Sequence, residues 1–123
     1  MADIFHSVRV AAPTDEVFRA VIGDDLFRAW WRSESEGDVV MRRIALEHGA
    51  RVAWRCIAGP PEWAGTHVTF LIAKDGDTTL LRFVHENWHA ATDRLAHCST
   101  KWARVLFALK SRLETPEAED ITA

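Results

Sequence analysis

The stretch DRLAHCSTKWARVLFALKSRLE, Asp93 to Glu114, decides how the rest of the chain is read. Laid out at about 3.6 residues per turn, Leu95, Cys98, Trp102, Val105, Leu106, Leu109 and Leu113 fall within an arc of about 100°, the pattern of a helix with one buried stripe. His97 falls outside that arc. At about 1.5 Å per residue such a helix is about 30 Å long, enough to lie across a whole small sheet.

The residues before it alternate as a sheet should. Ile4, Val8 and Val10, with His6 in part, alternate with Asp3, Phe5, Ser7 and Arg9, a period-two strand signal that stops at Ala11-Ala12-Pro13. Thr14 or Asp15 then caps a short helix, with Asp15 and Glu16 at its positive end and Val17, Phe18, Val21 and Ile22 as its buried stripe. Asp24-Asp25 caps a second short helix that carries Leu26, Phe27, Trp30 and Trp31. Arg32 to Asp38 is polar and reads as a loop. Val39–Glu47 and Arg51–Ala58 flank His48-Gly49-Ala50 as a hairpin in which Val52, Trp54 and Cys56 share a face. Gly59-Pro60-Pro61-Glu62 breaks the ladder, since proline cannot donate to it. Thr66–Ala73 and Thr78–Asn87 form a second hairpin around Lys74-Asp75-Gly76-Asp77. Val68, Phe70 and Ile72 share one face there, and Leu81, Phe83 and His85 another; Trp88 to Thr92 reads as a loop.

Composition sets the class. The chain has 123 residues, 48% apolar and 27% charged, with both signs scattered, which describes one ordinary globular domain. Residues 1–114 are expected to form it, and 115–123, acidic and lacking an apolar pattern, a flexible tail. The net charge of −3 gives no basic footprint for a phosphate backbone, so nucleic acid is not an expected partner. Cys56 and Cys98 lack a CxxC partner and read as reduced thiols. No stretch has the run of about 18 apolar residues that a membrane span needs, and a cytoplasmic protein without membrane contact is expected.

The order strand, two short helices, antiparallel strands and long C-terminal helix resembles the helix-grip fold of the START-like, or SRPBCC, superfamily. Val10-Ala11-Ala12-Pro13, Trp30-Trp31, Val52-Ala53-Trp54-Arg55-Cys56, Gly59-Pro60, Glu62-Trp63, Gly65-Thr66, Phe83-Val84-His85 with Trp88, and His97-Cys98-Ser99 with Trp102 and Leu109-Lys110 are similar to one bacterial subgroup. That subgroup lies in the branch related to the C-terminal domain of the activator of the Hsp90 ATPase. The resemblance implies an α+β fold in which a curved antiparallel sheet of about five to six strands wraps the long helix. In similar proteins a further hairpin strand precedes the one matching Val40 to Leu46, and here only Ser33 to Val39 stands in its place. The expectation is a narrower sheet, or a homodimer made through the exposed edge.

Helix-grip proteins tend to hold a pocket between sheet and helix. The candidates for its walls are Trp30, Arg43, Trp54, Trp63, Phe70, Phe83, His85, Trp88, Cys98 and Trp102. The competing reading is that the tryptophans plug the space themselves. His85 in an apolar cavity could orient a ligand or move a proton, or simply bond a neighbouring carbonyl. Arg43 could pair with a ligand carboxylate, or lie exposed on an edge strand beside Arg42. His85 and His89 do not have the helical context that would make their spacing a metal site, and no metal or cofactor is expected. No phosphate loop, nucleophile elbow or paired carboxylate motif occurs, and no catalytic constellation is visible. The leading expectation is binding of a hydrophobic small molecule, apolar or aromatic. The alternatives are a co-chaperone-like protein-interaction module and a cyclase- or hydrolase-type enzyme using His85 as acid or base.

Overall fold

The computed structural model describes residues 2–22, 40–58 and 62–114. Five strands, β1 (Ala2–Val10), β2 (Val40–Glu47), β3 (Arg51–Ala58), β4 (His67–Asp75) and β5 (Thr78–Trp88), form one antiparallel sheet in the order β1-β5-β4-β3-β2. A short helix α1 (Thr14–Ile22) and a long helix α2 (Asp93–Glu114) complete the α+β helix-grip arrangement. The expected second short helix, the loop Arg32 to Asp38, the place of a lost strand and the 115–123 tail lie outside the described residues.

The period-two patterns set which face each strand buries. In β1, Ile4 and Val10 are buried while Phe5 is 59% exposed. Directly opposed residues of a ladder share a face, and the register joins Ile4, His85, Val68, Trp54 and Arg43 into one row across all five strands. A second row runs His6, Phe83, Phe70, Val52 and Leu46. These rows line the side on which α2 lies, with Cys98, Trp102, Leu106 and Leu109 of α2 in the same core. α1 adds Val17, Phe18 and Val21 to that core, and Pro13 O accepts the Glu16 and Val17 amides at its start.

Three contacts lock α2 onto β1. The His6 Nε2–H donates to Ser99 O at 3.1 Å, Lys110 Nζ donates to Arg9 O at 2.8 Å, and the Ala11 amide donates to Glu114 Oε2 at 2.7 Å. Arg9 O and the Ala11 amide at the end of β1 are thereby satisfied, and among the described residues β2 is the other edge of the sheet. That strand is irregular. Val40 faces Ala58 but Met41 faces Cys56, which leaves Ile57 as an extra residue on β3; Arg43 faces Trp54 but Ala45 faces Ala53, which leaves Ile44 extra on β2. Bulges of this kind twist an edge and discourage strand addition.

Candidate functional site

At the centre of the concave side, His85 is held by a chain of hydrogen bonds whose direction is fixed by one donor-only group. The Trp102 indole N–H donates to His85 Nδ1 at 3.2 Å, so Nδ1 must be the bare nitrogen and Nε2 must carry the proton. The Nε2–H then donates to Thr66 Oγ1 at 2.8 Å, and the Thr66 hydroxyl donates to Trp63 O at 2.6 Å. Every member has its partner, which is the condition for burying polar groups cheaply. Burial pushes the His85 pKa down from 6.5 to about 3, because the apolar surroundings penalise the imidazolium.

Those surroundings are indoles. Trp63, Trp88 and Trp102 lie with ring centroids 4.7, 5.0 and 6.2 Å from His85, all edge-on. Phe83 and Trp102 centroids are 4.4 Å apart and Phe70 and Phe83 5.4 Å apart, so the rings form one continuous packed group. Trp63 reaches it from the Glu62–Gly65 turn, which is tied to the start of α2: Thr92 Oγ1 donates to Glu62 Oε1 at 2.8 Å and Arg94 Nε lies 3.0 Å from Glu62 Oε2. Trp88 reaches it by a bulge. Between the pairs Ile4–His85 and Ala2–Trp88 the ladder spends one more residue on β5 than on β1, and Asn87 takes a φ of 74°. Simple alternation would turn Trp88 outward; the extra residue turns it in over His85. The expected loop at Trp88 is therefore corrected: it is the last residue of β5.

Of the sequence candidates, Trp63, Phe70, Phe83, His85, Trp88, Cys98 and Trp102 are all 0% exposed. Trp54 keeps 9% exposure in the same row as His85. Arg43 stands opposite Trp54 but is exposed at the edge rather than turned into the interior. Trp30 lies outside the described residues. The sequence reading missed Thr66, which replaces the expected backbone carbonyl as the partner of His85. Both His85 nitrogens are occupied by Trp102 and Thr66, so neither is offered to a metal or a substrate. An open recess of about 170 Å³ lies at the far end of the sheet, between Ala12-Pro13-Thr14 and the Lys74 to Thr79 turn.

The fold has counterparts among solved structures. The Aha1 dimer from Colwellia psychrerythraea is 31% identical over 93% of this chain and 97% of that one, with a TM-score of 0.80. The chain belongs to the Aha1 family. Two further structures share the fold: MLL2253 from Mesorhizobium loti, 15% identical with a TM-score of 0.77 over 92% of this chain and 97% of that one, and CalU16 from Micromonospora echinospora, 19% identical with a TM-score of 0.70 over 88% and 71%. No family model and no curated protein matches. For this Aha1-family chain, no helix among the described residues is long and apolar enough to cross a membrane.

Proposed function

We propose that this Aha1-family chain is a protein-interaction module, co-chaperone-like, that acts through its surface rather than through an interior pocket. The observation that carries this reading is the closed aromatic centre. Trp63, Trp88, Trp102, Phe70, Phe83 and His85 fill the middle of the concave side with no accessible surface, and the polar atoms of His85 are spent on that packing. A neutral, enclosed imidazole with a pKa near 3 is poorly matched to acid–base work at neutral pH, which argues against the enzymatic reading. The partner suggested by the family is an Hsp90-type chaperone. The test is ATP turnover by a purified bacterial Hsp90 with and without this protein, run beside a two-dimensional NMR titration of the labelled domain. Saturable changes in either support the reading; unchanged turnover and an unchanged spectrum at excess chaperone overturn it.

A second reading, small-molecule binding, is supported at one place only. Trp54 keeps accessible surface and stands opposite the exposed Arg43, an arrangement that suits an apolar carboxylate. Titration with octanoate, read by tryptophan fluorescence in the wild type and in Trp54→Phe and Arg43→Ala, tests it. A response that both substitutions leave untouched removes this reading.

A further inference from the structure

We infer that the β2–β3 end of the sheet is a docking surface for an acidic protein segment that carries apolar side chains. The inference rests on the interaction-module reading and names the surface and the chemistry of its partner.

Arg42 and Arg55 are directly opposed in the β2–β3 ladder, a placement in which like charges destabilise a sheet. Arg43, the next residue along β2, belongs to the inner row with Trp54 and lies on the opposite face. Arg42 and Arg55 are exposed, and neither has a carboxylate partner among the described residues. The nearby acids among the described residues are engaged elsewhere: Glu47 lies 3.2 Å from Arg51, and Glu86, in the same row as Arg55, lies 3.8 Å from His67. In a chain of net charge −3 this cluster is not the overflow of a basic composition.

The apolar half of the surface comes from the two bulges. Ile57 and Ile44 are the extra residues, and they are 47% and 50% exposed. Each bulge interrupts the ladder, and each inserts an isoleucine that keeps much of its surface in water. A guard of arginines on an edge strand accounts for the charge alone. It does not account for the isoleucines. Exposed isoleucines two residues along their strands from Arg42 and Arg55 match the composition of protein interfaces, where Arg is enriched and Lys depleted. Guanidinium takes carboxylates bidentately, so the complementary partner is acidic around an apolar ridge. A second copy fits worse, because it would bring the same positive charge to a bulged edge.

The probe is a fluorescein-labelled amphipathic helical peptide of leucine and glutamate, read by anisotropy at physiological salt. Its controls are a leucine–lysine peptide, a polyglutamate peptide and a single-stranded oligonucleotide of equal charge. The proteins are the wild type, Arg42→Glu/Arg55→Glu and Ile44→Ser/Ile57→Ser, with folding checked by thermal melts. Saturable binding of the leucine–glutamate peptide is expected, weakened at least about tenfold, or 1.4 kcal/mol, by either double substitution. No binding, binding that survives both double substitutions, or equal binding of polyglutamate or the oligonucleotide overturns the inference. So does a dimer in light scattering that Arg42→Glu/Arg55→Glu dissociates. If the peptide fails while Hsp90 still shifts resonances elsewhere on the domain, this surface falls and the module reading stands. Peptide binding at these residues without any Hsp90 response leaves this surface standing and removes the chaperone as its partner.

Discussion

His85 shows how a titratable residue becomes a structural one. Its imidazole accepts from one indole, donates to one hydroxyl and is walled by three tryptophan rings, so it can be neutral but not charged without loss. The folded pKa of about 3 lies below the unfolded 6.5, so the unfolded state binds the extra proton in between. Stability is therefore full above about pH 6.5 and falls as pH drops toward 3, by up to about 1.4 kcal/mol per unit. Urea unfolding at pH 7, 5.5 and 4.5 checks this; a flat profile would contradict it. The indole donors are not equivalent. Trp102→Phe leaves His85 Nδ1 buried without its donor, which adds about 1–3 kcal/mol to the packing loss. Trp88 Nε1 is buried and has no hydrogen-bond partner among the described residues, so Trp88→Phe is expected to cost less. Equal losses in chemical denaturation would show that the Trp102 bond contributes little.

At the scale of the elements, two local devices aim the aromatic group. Asn87 in the left-handed region turns Trp88 inward, and Asn is among the few residues that tolerate that conformation. Asn87→Gly is expected to change stability by less than about 0.5 kcal/mol, whereas the β-branched Asn87→Val should cost about 1–3 kcal/mol and expose Trp88 to iodide quenching. Thr92 caps α2 by accepting the Leu95 amide at 3.3 Å while donating to Glu62, so it serves the helix and the Trp63 turn together. Thr92→Ala should cost about 1 kcal/mol or more in a thermal or urea melt. A neutral result would mean that Arg94 alone holds the turn. The strand and helix elements were legible because their periods are long and unbroken. The Asn87 bulge was not, since a single extra residue leaves the surrounding alternation intact.

Across the whole molecule, α2 is anchored at both ends, through Glu62 to the Trp63 turn and through Lys110 and Glu114 to the end of β1. The ion pair of Lys110 Nζ with Glu114 Oε2 at 2.5 Å completes the second anchor. Removal of residues 115–123 leaves every one of these bonds in place, and the melting temperature should be unchanged. Removal from Lys110 onward takes the anchor and the last turns of the helix with it, and should lower the melting temperature by several degrees. If the shorter truncation destabilises as much as the longer one, the boundary at Glu114 is wrong.

Sequence by itself determined the elements and their buried sides, because the stripe from Leu95 to Leu113 and the period-two faces of β1, β3, β4 and β5 each specify which side is buried, and the family resemblance carried by its motifs implied the helix-grip arrangement of those elements. It also placed His85, Phe83 and Phe70 on the inner face and His97 outside. Tertiary structure alone decided how that inner face is packed. Whether three indoles line a space or fill it depends on ring-to-ring distances set by a bulge at Asn87, a turn tied to Thr92 and the depth at which α2 lies, none of which is a periodic property. The helix read from Asp93 to Glu114 grips the sheet as expected, and Trp102, its largest buried side chain, packs into the aromatic centre.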